Sequence, residues 1–341
     1  MTASSHRAES SRRIATTLAI LLGVCAVMTV LHIAIGTVAV SPGEVLSAIF
    51  HRDDSNNASV YVWMVRGPRT AYCLVAGALL GLVGATFQAL FRNPLADPYV
   101  VGVSSGAAVG GALGIALGFG TSWTGMFTGL GPVLLATLGG LGALTLVLTL
   151  SLRRGVLEMQ SLLLTGVVLG SLLSSMLSLI MQWSGKDNQI LSWLLGHMTP
   201  AYWNHFYPMA FVLVVSAPIL VLHARRLNAL AIGDDTARQL GVNTNRVRPL
   251  LLITGSIMVA VTVANVGIIG FLGLVSPHIA RRLLGVDWRW SLIGSGLVGA
   301  ALLCGADILA QRIVPDAEVP VGIVTAILGA PFLILLLRRT R

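Results

Sequence analysis

The chain has 341 residues, 55% of them hydrophobic and only 10% charged, and its mean hydropathy is +0.85. A soluble domain carries about 25% charged residues, so these side chains cannot cover a water-facing surface, and most soluble enzyme classes are excluded. Basic residues outnumber acidic ones 22 to 13, for a formal charge of +9; in a polytopic membrane protein that excess marks cytoplasmic loops rather than nucleic-acid binding.

At about 20 apolar residues per helical crossing, the length leaves room for roughly ten crossings in an all-α membrane protein. Residues 1–13 are polar, carry Arg7, Arg12 and Arg13, and read as a cytoplasmic tail; residues 14–341 read as one membrane domain. The run Ile14–Val40 is 27 residues long. A signal-peptide core has about 7–15, so an uncleaved first crossing is expected. Further crossings are expected at Thr70–Phe91, Val100–Phe119, Met126–Leu152, Leu162–Trp183 and Phe206–Leu222, then at Leu250–Ile279, Ser291–Ile313 and Val319–Leu337.

The run Leu250–Ile279 holds 30 residues, about 45 Å as one helix, too long for a core of about 30 Å without steep tilt. Arg225, Arg226, Arg238, Arg246 and Arg248 precede it, and Arg281, Arg282 and Arg289 follow it. Both clusters belong inside, so the chain between them crosses an even number of times. Gly267, Gly270 and Gly273 are the expected break, leaving one long helix and one short, partly penetrating one. The total becomes ten segments with both termini inside. Seventeen basic residues then lie inside: Arg92, Arg153, Arg154, Arg338, Arg339 and Arg341 join the tail and the two clusters. Five lie outside, namely Arg52, Arg66, Arg69, Lys186 and Arg312.

Glycines at small-xxx-small spacing (Gly77/Gly81, Gly106/Gly110/Gly114/Gly118, Gly166/Gly170) mark faces where helix backbones approach closely. They serve internal packing or self-association. The inward polar stretch 223–249 contains LNALAIGDDTARQLGVNTNRVR, with Gly233 and Gly241 as punctuation and Asp234 and Asp235 at a helix start. Two short surface helices are expected there, forming a docking surface.

Little chemistry is legible. Residues 102–106 spell G-x-S-x-G, but a hydrolase elbow needs a strand before the serine, and these surroundings are helical. The only partner within reach for Ser104 would be His278. The seven histidines show no metal spacing, and Cys25, Cys73 and Cys304 sit in apolar runs, which argues against a disulfide framework or a thiolate metal site. Asp307 is the one carboxylate well inside an apolar run, which raises a proton-coupled carrier as an alternative. The only lysine, Lys186, lacks the glycine that a phosphate-binding loop needs, since Ile180 stands there. Arg66 and Arg69 break the charge trend, either as snorkelling headgroup anchors or as a basic external patch for an acidic partner.

Four segments carry a family resemblance: RGPRTAYCLVAGALLGLVGATFQALFRNPLADPYVVGVSSGAAVGG (66–111), IGDDTARQLGVN (232–243), GIIGFLGLVSPHIARRLLGVDWR (267–289) and GADILAQRIVPDAEVPVGIVTAILGAPFLILLLRR (305–339). The chain resembles the FecCD-type permeases, the membrane subunits of ABC importers for iron–siderophores, haem and cobalamin. The resemblance implies the type II importer fold of about ten helices in a bacterial inner membrane. It also implies a second permease copy, so that a homodimer forms with the path along its axis. Two ATPase subunits would dock below and use ATP and Mg there. A periplasmic or lipid-anchored binding protein would dock above; the permease itself would bind no cofactor and catalyse no reaction. By the same resemblance, Leu230, Gly233, Asp234, Asp235, Ala237, Arg238, Leu240, Gly241 and Val242 would couple to the ATPase. Arg66, Arg69 and Arg312 would dock the binding protein, although the family's third arginine aligns with Gln311, one residue before Arg312. Asn93, Leu95, Met159 and Gln160 would form the cytoplasmic gate, and Gln189–Met198 a short helix at the outer mouth. The implied cargo is a metal chelate, an iron–siderophore first, with haem or cobalamin as alternatives.

Overall fold

The computed structural model describes residues 3–36, 40–51, 56–124, 127–153, 156–198, 203–314 and 317–339; Arg52, Arg154, Arg341 and the expected span start Met126 lie outside them. Where water is excluded, backbone hydrogen bonds must close within each segment, so each apolar run becomes a helix. Helix α1 (Ala3–Ala34) is continuous through most of the stretch expected as a tail. Helix α2 (Pro42–Phe50) was not expected, although its start carries a signal. Ser41 Oγ accepts from Glu44 N at 3.3 Å and the Glu44 carboxylate accepts from Ser41 N at 2.9 Å, a reciprocal cap.

Helix α3 (Asn57–Tyr61) passes through a π-turn at Val62–Arg66 into α4 (Gly67–Leu90). The apolar helical run thus covers Asn57–Leu90, 34 residues, and begins well before Thr70. Gly67–Pro68 looks like a breaker in sequence, but proline is tolerated in a helix's first turn, where its missing N–H is not needed. Helices α5 (Val103–Leu117) and α6 (Leu130–Ser151) pair, and a two-residue ribbon, β1 (Leu152–Arg153) with β2 (Val156–Leu157), leads into α7 (Met159–Ser184). Then come α8 (Asp187–Leu194), α9 (Trp203–Leu222), α10 (Ala224–Ile232) and α11 (Asp234–Gln239). The last four are α12 (Thr244–Val266), α13 (Leu272–Leu284), α14 (Trp288–Ala310) and α15 (Val321–Arg339).

The long run does break at the glycines: α12 ends on Gly267, whose φ of +74° suits glycine, and α13 starts five residues later. With α1, α4, α5, α6, α7, α9, α12, α14 and α15, α13 makes ten segments. Among the described residues, seven helical runs are long and apolar enough to cross a membrane; α5 and α15 are shorter apolar helices.

Helix α4 is the centre. Of its most apolar window 89% is buried, against 6% for α7 and 11% for α1. It lies against α14 at near-backbone distance. A methyl group on Gly77 would strike the Gly299 carbonyl, and one on Gly81 the Ser295 carbonyl. Gly106 and Gly110 sit likewise against Gly139 and Leu135 of α6. These stripes therefore pack the subunit internally. Gly81→Val is expected to separate α4 from α14 and cost about 1–3 kcal/mol, read as a lower midpoint of thermal unfolding in detergent. An unchanged midpoint would mean that the two helices are not held this close.

Candidate functional site

Helix α4 carries chemistry at both ends, and its 24 residues set those ends about 36 Å apart. At the first end, Arg66 and Arg69 are 4% and 6% exposed, so they do not present the exposed basic patch expected from sequence. Arg66 Nη1 donates to the Ile33 and Ala34 carbonyls at 2.7 and 3.1 Å, closing the open end of α1, and its guanidinium lies 5.2 Å from the Tyr61 ring centre. Arg69 makes a two-pronged pair with Asp307 of α14, Nε to Oδ2 at 2.7 Å and Nη2 to Oδ1 at 3.1 Å. Its Nη1 donates to Glu318 Oε1 at 2.8 Å. Of the three arginines, only Arg312 is exposed.

Asp307 is 1% exposed and is further held by His32 Nε2 at 2.8 Å and Gln311 Nε2 at 2.9 Å. Thr70 gives its hydroxyl proton to the Arg66 carbonyl, and His32 Nδ1 lies 2.8 Å from the Thr70 oxygen. One polar knot thus ties α1, α4, α14 and the chain before α15. An acid deep in a helical run needs a counter-charge, and Arg69 was the candidate in register at the same end; sequence did not pair them. Gln311 serves this knot. His32, Cys73 and Asp307 offer atoms within 4.8 Å of one another. This is not a metal pocket, because both Asp307 oxygens already accept from cationic or amide donors and Arg69 brings a competing positive charge. The same saturation removes the basis for a proton relay through Asp307.

At the other end, α4 stops at Arg92, which adopts a left-handed φ of 51°. Asn93 N donates to the Gln88 carbonyl at 3.1 Å, and Asn93 Oδ1 accepts from Leu95 N at 2.9 Å, a tight polar turn. Leu95 is 40% exposed. Tyr99 closes this turn onto the α12–α13 break: its hydroxyl donates to the Ile269 carbonyl at 3.0 Å and accepts from Ile269 N at 3.1 Å. Met159 and Gln160 open α7 and share a cavity with Arg92, Asp234 and Arg238. The turn after α4, the start of α7 and helix α11 therefore meet at one end of the molecule.

Helices α10 and α11 occupy the expected 223–249 stretch. Leu230 and Ala237 are fully buried and anchor it, and Val242 packs partly on the same core. Asp235, Arg238, Leu240 and Gly241 face outward, Leu240 at 65% exposure. Gly241, at φ +79°, terminates α11, with Val242 N donating to the Ala237 carbonyl at 2.9 Å. Gly233 joins α10 to α11 in extended backbone. Partial burial raises the Asp234 carboxyl, but the hydrogen bond and charge of Arg248, with Arg92 and Arg238 beyond, hold it below its ordinary range.

Asn228 of α10 donates to Asp287 Oδ1 at 2.8 Å and accepts from Trp288 N at 2.9 Å, fixing α10 to the start of α14. Burial works against the charged Asp287 carboxylate, yet Arg289 and Asn228 bring it down to about 2, from an ordinary value of about 3.9. A lowered acid stabilises above its unfolded value and loses that as pH falls. The α10 anchor is therefore expected to be intact above pH of about 4 and to fail towards pH 2, which limited proteolysis within 223–249 across that range would read.

Ser104 lies on helix α5, preceded by turn at residues 98–102 and not by a strand, so the serine elbow is absent. Helix α8 overlaps the expected mouth segment Gln189–Met198. Helix α7 exposes Ser171, Ser174, Ser175 and Ser178 between leucines. The hydroxyls of Ser171, Ser175 and Ser178 turn back onto their own helix carbonyls, which leaves a smooth, weakly polar strip.

A profile of the FecCD transport family matches residues 24–339. The hemin transport system permease protein HmuU of Yersinia pestis is 35% identical over 84% of this chain and 86% of its own length. The vitamin B12 import system permease protein BtuC of Salmonella typhi is 38% identical, covering 92% of each chain. A solved structure of an inward-facing metal-chelate type ABC transporter superposes with a TM-score of 0.83. It is 31% identical, over 94% of this chain and 98% of the other.

Proposed function

This chain belongs to the FecCD transport family, and from that membership we propose that it works as the membrane-spanning permease subunit of an ABC importer for a metal chelate. Its apolar spans and its permease relatives support a multi-pass protein of the inner membrane. The α10–α11 end faces the cytoplasm, as do both termini. Two ATPase subunits grip the outward face of α11 and supply the energy from ATP and Mg. The opposite end receives a substrate-binding protein from outside. A second copy packs so that the path runs between subunits, bordered by the serine strip of α7. Such a lining offers few ligands that could strip the metal from its chelator. Iron–siderophore is the first cargo, with haem and cobalamin as alternatives.

Transport proceeds by alternating access with no chemistry on the cargo. ATP turnover moves α10–α11, and that motion reaches the gate at Asn93, Leu95, Met159 and Gln160. The observation that carries this reading is the meeting of α11, the α4 terminal turn and the α7 start around one cavity, because a lever must touch the gate it moves. The test is uptake of radiolabelled ferric siderophore by proteoliposomes. Accumulation is expected with the ATPase, ATP and a ferric-siderophore binding protein present and none with the permease alone. Uphill uptake by the permease alone would overturn the reading.

At the outer face, Arg312 makes first contact with an acidic surface of the binding protein. Arg66 and Arg69 lie behind it and join only as their internal partners yield. Arg312→Glu is expected to slow association with the binding protein, more strongly at low than at high salt, as read by surface plasmon resonance. Equal association rates at both salt levels would return Arg312 to lipid anchoring.

A further inference from the structure

The cavity between α4, α7, α11 and α12 has a charge pattern that neither gating nor coupling requires. It encloses about 280 Å³. Three guanidiniums line it, from Arg92 at the end of α4, Arg238 on α11 and Arg248 on α12; the acids facing it are Asp234 and Glu158. The arginine side thus exceeds the acid side by one charge. The first turn of α12, through Thr244, adds the positive end of a 23-residue helix.

The arginines are not all satisfied. Arg248 is nine-tenths buried, with 9% of its side chain exposed. Its Nη2 pairs with Asp234, but its Nε is buried with no partner among the described residues. A buried, unpartnered guanidinium donor costs free energy unless something fills it. Arg238 makes only a long 3.4 Å contact from Nε to Thr244 Oγ1 among the hydrogen bonds of the described residues, and the residue is exposed. Convergent guanidinium forks suit planar or tetrahedral oxyanions.

We propose that this cavity is a binding site for a small oxyanion of the phosphate class, held by Arg92, Arg238 and Arg248 at the N-terminus of α12. Asp234 competes for the same guanidinium, so the site is poised between an internal carboxylate and an external anion. A bound anion bridges the α4 turn, α11 and α12, and so stiffens the link between the surface helices and the turn that follows α4.

The site can be tested on the purified full-length permease in phosphatidylcholine nanodiscs. Inorganic phosphate is titrated against chloride at constant ionic strength, and the thermal midpoint is followed. Saturable stabilisation by phosphate is expected. Asp234→Asn, which frees Arg248, is expected to lower the half-saturating phosphate concentration several-fold. Arg238→Gln, at an exposed position that tolerates the change, is expected to raise it by about tenfold, the scale of one charge-assisted hydrogen bond. A non-saturating response, or the same half-saturation in all three forms, would overturn the site. No ATPase or cargo enters this measurement, so its failure leaves the transport reading untouched.

Discussion

Arg69→Met is expected to lower the stability of the purified permease by about 3–5 kcal/mol. The loss comes less from the missing attraction than from what is left behind. Asp307 would be left at 1% exposure with His32 and Gln311 as its remaining side-chain partners, and Glu318 would lose its 2.8 Å partner. The companion variant, Arg69→Met with Asp307→Leu, removes both buried charges and is expected to recover at least half of the loss, because a matched apolar pair often replaces a buried ion pair at little cost. Unfolding in graded sodium dodecyl sulfate with far-UV circular dichroism measures both. A double variant no more stable than the single would show that the two groups are not energetically coupled. Transport adds a second readout. If Asp307 carried protons, the stable double variant would be inactive; as a strut it is expected to transport.

Leu240→Asp is expected to cut ATP-driven uptake by at least about tenfold, the effect of losing one interface anchor. Leu240 is 65% exposed, so the permease itself keeps its fold and membrane insertion. Two large apolar side chains of the α10–α11 stretch, Ile232 and Leu240, stand 70% and 65% exposed, and a docked partner would remove both from water. Association of the ATPase with the reconstituted permease, measured without cargo, should weaken in parallel. Wild-type uptake and association together would place the coupling surface elsewhere on α10–α11. The variant avoids Arg238 and Asp234, so the result does not depend on whether the neighbouring cavity holds an anion.

The buried arginines illustrate a limit of one-dimensional reading. In sequence, Arg66 and Arg69 stand before an apolar run and look like a surface patch. In the fold, the π-turn at Val62–Arg66 continues the helix past Gly67–Pro68. Arg66 then closes the end of α1, and Arg69 faces an acid 238 positions away. No local pattern carries that pairing; it exists only because α4 and α14 touch through glycines.

What the sequence determined was whatever follows from period, length and charge sign. Apolar runs of membrane length had to become helices once backbone groups lost water. The glycines at 267–273 had to interrupt a run too long for one crossing. The polar stretch at 223–249, with its Asp-Asp start and its Gly241 stop, had to form short helices at the edge of the apolar core, anchored there by Leu230 and Ala237. The α2 cap at Ser41 and Glu44 is legible in the same local way. Only the tertiary structure decided which charges meet. His32, Arg69, Asp307 and Glu318 share one knot, while Arg92, Arg238 and Arg248 share one cavity. The reason is geometric: helix formation is a contest among neighbours four residues apart, whereas ion pairing depends on which helix ends the packing of α4, α12 and α14 brings within about 3 Å.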